Sequence, residues 1–156
     1  MVCLYHYKQG KGFHLDNLDS SIRNAVRAVI IRGSRILLLR KRYEDGSERF
    51  VLPGGAQAPG EPLTTVLARE CQEEIGASLR TCTLLNVADW FKQRDTVPPS
   101  TRHIVEFLFA CEVEKDYVPR NGHHPDKHQV EVLWIGLNEL EGIPFHPPAV
   151  LDYLQA

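Results

Sequence analysis

The sequence lacks three features that would each point to a particular class of protein. Its apolar runs are far shorter than the roughly 20 residues that a membrane-spanning helix requires. The start of the chain has no apolar segment of the kind found in secretory signal peptides. Its 4 cysteines form no CxxC pair and are too few for a disulfide-dense scaffold. We therefore expect a cytoplasmic protein with reduced thiols and no membrane partner.

The sequence also lacks an excess of basic residues. It has 18 Lys and Arg against 20 Asp and Glu, a formal net charge of -2. Proteins that bind nucleic-acid polymers usually carry a basic excess, so we expect no such partner. An anionic substrate would have to be held locally, by a metal ion or by a few cationic side chains. The length of 156 residues and the 43% hydrophobic content predict one ordinary globular domain.

The hydrophobic pattern predicts a mixed α/β domain. Two aliphatic runs, 27–32 and 35–42, flank a Gly-Ser pair and predict a β-hairpin. A periodic segment with Pro62 at its start and Gly76 just beyond its end predicts a helix over 62–75. Residues 1–24 show no clear period, so we treat them as an extension of unknown role before a domain at 25–156. Further strands are predicted at 49–52, 79–87, 103–111 and 130–135, and a short final helix from 147.

Three carboxylates of the predicted helix lie on one side of it. Glu70, Glu73 and Glu74 have the spacing i, i+3, i+4, which confines them to an arc of about 100°. Like charges at these spacings repel, and a divalent cation would offset the repulsion. Alone, three glutamates more often form a solvated acidic surface, here with Arg69 as a partial neutraliser. The residues around them must decide between the two interpretations.

Those residues form a longer pattern that resembles the Nudix box, the signature G-x5-E-x7-R-E-U-x-E-E-x-G-U of Nudix hydrolases, where U is a bulky aliphatic residue. The match covers residues 55–77, and all seven fixed letters are present at the right spacing. Two U positions depart from the signature, since they carry Cys71 and Ala77. The matching residues are Gly55, Glu61, Arg69, Glu70, Glu73, Glu74 and Gly76.

The resemblance implies both a fold and a reaction. The fold would be an α/β/α sandwich around a mixed β-sheet, with the box forming a catalytic loop–helix–loop. The reaction would be metal-dependent hydrolysis of a pyrophosphate bond, by attack of water at a metal-bound phosphate. The partner would be a small nucleoside diphosphate derivative, such as a nucleotide sugar, a nucleoside triphosphate or a damaged nucleotide. The alternative is a Nudix-fold module that binds or senses nucleotides without turnover.

The resemblance also implies roles for individual residues. Glu70, Glu73 and Glu74 would hold Mg²⁺ or Mn²⁺, with the carbonyl of Gly55 as a further ligand. Glu61 would bind another metal ion or brace the loop, and Arg69 would orient the carboxylates. The proton acceptor would be Glu70 or an acid beyond the box, for which the first candidates are Asp126 and Glu131, followed by Glu112 and Glu114.

The sequence identifies the residues that would contact the substrate less clearly than it identifies the metal ligands. Arg40 and Arg42 share one face of a strand end and could bind phosphate, although such residues commonly serve solubility. Trp90 could stack on a base or pack in the core, and Arg94 is a further candidate. The proline expected at 91–93 in ADP-ribose pyrophosphatases is absent. No single substrate is selected, and a homodimer is compatible with the sequence without being indicated by it.

Overall fold

The computed structural model describes residues 17–19 and 21–154. Most of the predicted N-terminal extension, residues 1–16 and 20, therefore lies outside the described residues. The strands are β1 (Arg23–Arg32), β2 (Arg35–Arg42), β3 (Glu48–Val51), β4 (Gly54–Ala56), β5 (Thr81–Arg94), β6 (Ser100–Glu112) and β7 (Gln129–Gly136). The helices are α1 (Leu63–Ile75) and α2 (Leu151–Leu154), with 3-10 turns at Leu137–Gly142 and Pro148–Val150.

The sheet is mixed and is organised around β1. Its main path runs β3-β2-β1-β6-β5, with β4 also paired to β1 and β7 also paired to β2. Only the β1–β6 pairing is parallel among these strand pairs of the described residues. Residues 25–27 of β1 pair with β4 along one edge and with β6 along the other. The Gly-Gly segment that opens β4 is therefore fixed directly against the centre of the sheet.

The predicted hairpin is confirmed. Arg32 pairs with Arg35, which leaves Gly33 and Ser34 as a two-residue turn. Gly33 has a φ of 61°, a conformation that glycine adopts without the steric cost of a side chain.

Helices cover both faces of the sheet, as the predicted α/β/α sandwich requires. The helix α1 buries Val66, Leu67 and Ile75 against one face. The opposite face is covered by the C-terminal segment, through residues such as Leu140 and Val150. No helix within the described residues is long and apolar enough to cross a membrane.

The strands β5 and β6 extend further than the sequence predicts. The prediction ended the first of them at residue 87, whereas β5 continues to Arg94 and pairs there with Ser100. The alternation of apolar and polar residues becomes irregular after Val87, but the backbone of β5 stays paired with β6 up to Arg94. Trp90 and Arg94 therefore lie on a strand, where their directions are fixed by the sheet.

Candidate functional site

Two of the predicted metal-binding carboxylates, Glu70 and Glu74, lie at the turn that opens β4. The backbone N–H of Gly54 donates a 2.8 Å hydrogen bond to Oε2 of Glu74, which is only 4% exposed. A Cβ atom built at Gly55 would lie 2.3 Å from Oε1 of Glu70. Glycine at this position is therefore what lets the Glu70 carboxylate approach the backbone so closely. The structure thus brings Gly55, Glu70 and Glu74 together at one turn.

Burial dominates the electrostatics of Glu74. Desolvation raises its pKa to about 8, and the nearby charge of Glu70 adds to the shift. The Gly54 N–H and the cations Arg27 and Lys41 act in the opposite direction. The charged form of this buried carboxyl is thus insufficiently stabilised by the protein alone, and an added cation would favour it.

Arg69 contacts the remaining carboxylates of the box. Its Nε and Nη2 donate to the two oxygens of Glu61 at 2.9 and 3.1 Å, a bidentate arrangement that lysine could not reproduce. Its Nη1 lies 2.9 Å from Glu70 and 3.4 Å from Glu73. One guanidinium group therefore links Glu61 of the loop to two glutamates of α1.

A partly buried ion pair supports the Gly-Gly turn from the sheet. Arg27 of β1 donates through Nε to Oε1 of Glu106 at 3.0 Å and through Nη1 to the carbonyl of Gly54 at 2.9 Å. Glu106 of β6 is completely buried, and its Oε2 has no hydrogen-bond partner among the described residues. Since Gly54 also binds Glu74 through its backbone N–H, the pair contributes to positioning that carboxylate.

The loop between β6 and β7 covers the C-terminal end of α1. The backbone N–H of Gly122 donates to the carbonyl of Glu74, and Gln129 Nε2 donates to the same carbonyl at 2.7 Å. The hydroxyl of Tyr117 donates to the carbonyl of Ile75. These bonds satisfy helix carbonyls that would otherwise lack partners, and they hold the last turn of α1 in place.

The acids proposed as alternative proton acceptors both lie beside a cation. Asp126 is paired with Lys41, and Glu131 lies 3.3 Å from Nε of Arg40. Arg42, predicted as a phosphate ligand, is paired with Glu48 across β2 and β3. Arg40 and Arg42 are therefore engaged within the protein.

The other two predicted substrate contacts line a cleft. Trp90 and Arg94 border an open cavity of about 500 Å³ together with Arg49, Lys92 and His146. The rings of Trp90 and His146 meet edge-on, 5.1 Å apart. The structure thus separates the four predicted contacts into a pair at this cleft and a pair, Arg40 and Arg42, that does not line it.

Comparison with known proteins decides the family of the chain. The model of the NUDIX domain matches residues 21–153. The chain belongs to the Nudix family. An ADP-ribose pyrophosphatase of Methanocaldococcus jannaschii is 26% identical over 132 residues, covering 84% of this chain and 72% of that protein.

Solved structures of Nudix proteins share the fold. A NUDIX hydrolase from Nitrosomonas europaea superposes with a TM-score of 0.68 at 21% identity, covering 86% of this chain and 87% of that one. A MutT NUDIX hydrolase from Burkholderia pseudomallei gives 0.58 at 28% identity, covering 87% and 98%. With the family established, the chain is a Nudix pyrophosphohydrolase.

Nudix hydrolases generally act with divalent metal ions, and the donor set of this chain fits such an ion. Glu70, Glu73 and Glu74 offer the hard carboxylate oxygens that Mg²⁺ and Mn²⁺ prefer. Burial disfavours the charged form of Glu74, and a bound cation would stabilise that form. Within residues 17–19 and 21–154, no three His, Cys, Asp or Glu side chains already converge as a metal centre. Arg69 contacts Glu70 and Glu73 here and supplies positive charge beside them.

Several residues of this Nudix site were not predicted from the sequence. The sequence carries a weak signal for Arg27 and Glu106, since each is a charged residue flanked by apolar residues in its strand. Gly122, whose Cβ would lie 2.2 Å from the carbonyl oxygen of Glu73, carries none, because its partner is distant in sequence. His146 is likewise brought to the cleft only by the fold.

The environment of His146 predicts that the stability of the protein depends on pH. Burial lowers its pKa to about 4 from 6.5, and the nearby cations Arg49, Lys92, Arg27 and Lys41 add to the shift. The unfolded chain therefore binds a proton at His146 at a higher pH than the folded chain does. The contribution of His146 to the free energy of unfolding is fully present above pH 6.5 and decreases as the pH falls towards 4. After allowance for solvent screening, we expect the loss to be about 1–2 kcal/mol. Urea unfolding at pH 7.5 and 4.5 should show a smaller pH effect in His146→Asn, and an equal effect in both proteins would contradict this.

Proposed function

We propose that the chain is a metal-dependent hydrolase of a pyrophosphate bond in a nucleoside diphosphate linked to another group. The observation that carries this proposal is the meeting of Glu70 and Glu74 at the Gly54–Gly55 turn, with Arg69 linking Glu70 to Glu61 and Glu73. Pyrophosphate hydrolysis requires charge neutralisation and an oriented water, and this arrangement concentrates acidic oxygens for both purposes.

Glu70, Glu73 and Glu74, with the carbonyl of Gly55, would hold Mg²⁺ or Mn²⁺, and Glu61 would brace the loop or bind a further ion. A bound divalent ion would neutralise the phosphate oxygens and polarise the bond to be broken. Arg69 would fix the carboxylates in orientation, because it already contacts three of them.

Glu70 is our preferred proton acceptor. Its carboxylate lies directly against Gly55 and shares Arg69 with two other acids. Asp126 and Glu131 are instead paired with Lys41 and Arg40, and neither contacts the Gly54–Gly55 turn in the described contacts. A general base must reach the attacking water within about 3 Å, and the Gly54–Gly55 turn offers the carboxylate a fixed position for this.

The substrate class is narrowed only to nucleoside diphosphate derivatives. The relative from M. jannaschii is an ADP-ribose pyrophosphatase by name, which supports a nucleoside diphosphate sugar. The residues at 91–93, Phe91, Lys92 and Gln93, lack the proline expected of that subfamily. ADP-ribose is therefore one compound to test among nucleotide sugars and nucleoside triphosphates.

The test is a panel of these compounds with Mg²⁺ or Mn²⁺, with products separated by chromatography. We expect turnover of at least one diphosphate compound, release of a nucleoside monophosphate and complete loss of activity with EDTA. Reaction in H₂¹⁸O identifies the phosphorus that is attacked. Activity that persists in EDTA would contradict metal dependence, and binding without turnover across the panel would favour the non-catalytic module.

A further inference from the structure

Basic side chains collect on one face of the sheet, beyond the box. Lys92 of β5 lies directly opposite Arg102 of β6, so the two share a face. Ile104, two residues from Arg102, pairs with both Trp90 and Arg23. Strand alternation puts Arg94 on the same face as Lys92, which is the face that α1 does not cover.

The positive charge of this surface is only partly compensated. Asp19 accepts hydrogen bonds from Arg94 at 3.2 Å and from Arg102 at 3.0 Å. Among the described residues, neither Arg23 nor Lys92 has an ion-pair partner. Both are exposed. Desolvation lowers the pKa of Lys92, and the charges of Arg49 and Arg23 lower it further. This surface therefore has cations available for an external anion.

The basic surface lies beside the box without being part of it. Lys92 and Arg49 border the 500 Å³ cleft, whereas Arg23 and Arg102 border a second cleft of about 430 Å³ whose other wall is the box loop at 57–60. Arg27, which binds the Gly54 carbonyl, is four residues from Arg23 on the same strand, a distance of about 13 Å. A diphosphate held at the box would not span that distance, whereas a nucleoside attached to it is long enough to reach Arg23.

We infer that this surface, defined by Arg23, Arg49, Lys92, Arg94 and Arg102, binds a second phosphate group of the substrate. The preferred substrates would then be nucleoside diphosphate compounds that carry an additional phosphate monoester, for example on the ribose. The inference rests on the proposed function, because it assumes that the pyrophosphate itself lies at the box. A phosphate monoester suits the site because its oxygens accept several hydrogen bonds from Arg and Lys donors at once.

The kinetic test uses substrate pairs that differ by one phosphate. Coenzyme A is compared with dephospho-coenzyme A, and ADP-ribose 2′-phosphate with ADP-ribose. We expect kcat/KM to be at least tenfold higher for the phosphorylated member of at least one pair. Lys92→Gln and Arg23→Gln should each reduce that preference at least threefold, and Lys92→Arg should restore it. Lys115→Gln, which removes an exposed positive charge elsewhere, serves as the matched control.

A binding test does not depend on hydrolysis. Adenosine 3′,5′-bisphosphate, adenosine 2′,5′-bisphosphate and AMP are titrated by calorimetry in EDTA, and we expect one bisphosphate to bind at least tenfold more tightly than AMP. Tighter bisphosphate binding without any turnover would uphold the inference and contradict the proposed function. Turnover without preference within either pair, together with equal binding of the three nucleotides, would overturn the inference and leave the proposed function intact.

Discussion

Glu74→Gln and Glu73→Gln are each expected to reduce kcat by roughly 100-fold or more while leaving the protein folded. Each substitution removes one carboxylate charge and preserves the shape of the side chain. Glu74 accepts a hydrogen bond from the Gly54 N–H, and a glutamine amide oxygen can accept the same bond. The loss of activity would therefore report the missing charge and not a displaced turn.

The two variants should differ in stability. Glu74 is buried, and its charged form is disfavoured there, so a neutral glutamine is expected to keep or raise the melting temperature. Glu73 is more exposed and contacts Arg69, so its replacement should change stability by less than about 1 kcal/mol. Thermal unfolding and steady-state kinetics with increasing Mg²⁺ measure both effects.

Glu44→Gln is the matched control, because this glutamate lies exposed in the turn between β2 and β3, outside the box. It should retain the activity of the unmodified protein. Full turnover in a protein that carries both Glu73→Gln and Glu74→Gln would show that these carboxylates do not hold the catalytic metal.

The box itself could be predicted because its chemistry is local in sequence. Glu70, Glu73 and Glu74 lie within two turns of one helix, so the helical repeat alone brings them to one side. Gly76 ends α1 in the left-handed conformation, with a φ of 60°, as its position predicted. The α/β/α sandwich followed from the resemblance, and the structure confirms it.

The support around the box could not be predicted, because it comes from residues distant in sequence. Arg27 meets Glu106 through the parallel pairing of β1 and β6, a contact across 79 positions. Sequence patterns predict which residues of a strand share one face of the sheet, but not which strand lies next to it. The basic surface illustrates the same limit, since the opposition of Lys92 and Arg102 depends on the register between β5 and β6.

Replacing each of the two adjacent glycines of the turn by alanine should have different effects, on folding stability for Gly54 and on catalysis for Gly55. Gly54 has a φ of 139°, and its Cβ would lie 2.0 Å from the backbone oxygen of Val26. Backbone at the centre of the sheet cannot move aside, so we expect Gly54→Ala to cost about 3 kcal/mol or more of folding free energy. At 2–4 °C per kcal/mol for a domain of this size, the melting temperature should fall by about 10 °C.

Gly55→Ala should instead affect catalysis more than folding. The three atoms nearest to its Cβ would all belong to the carboxylate of Glu70, at 2.3 to 2.8 Å, and that side chain can rotate away. We expect a stability loss of about 1 kcal/mol and a kcat lowered by about 100-fold, because the displaced carboxylate leaves the turn. Gly142→Ala is the control, since no atom lies within 4 Å of its Cβ position, and both quantities should stay unchanged. If Gly55→Ala kept full activity, contact between Glu70 and the turn would not be required for turnover, and the proton acceptor would have to be sought at Asp126 or Glu131.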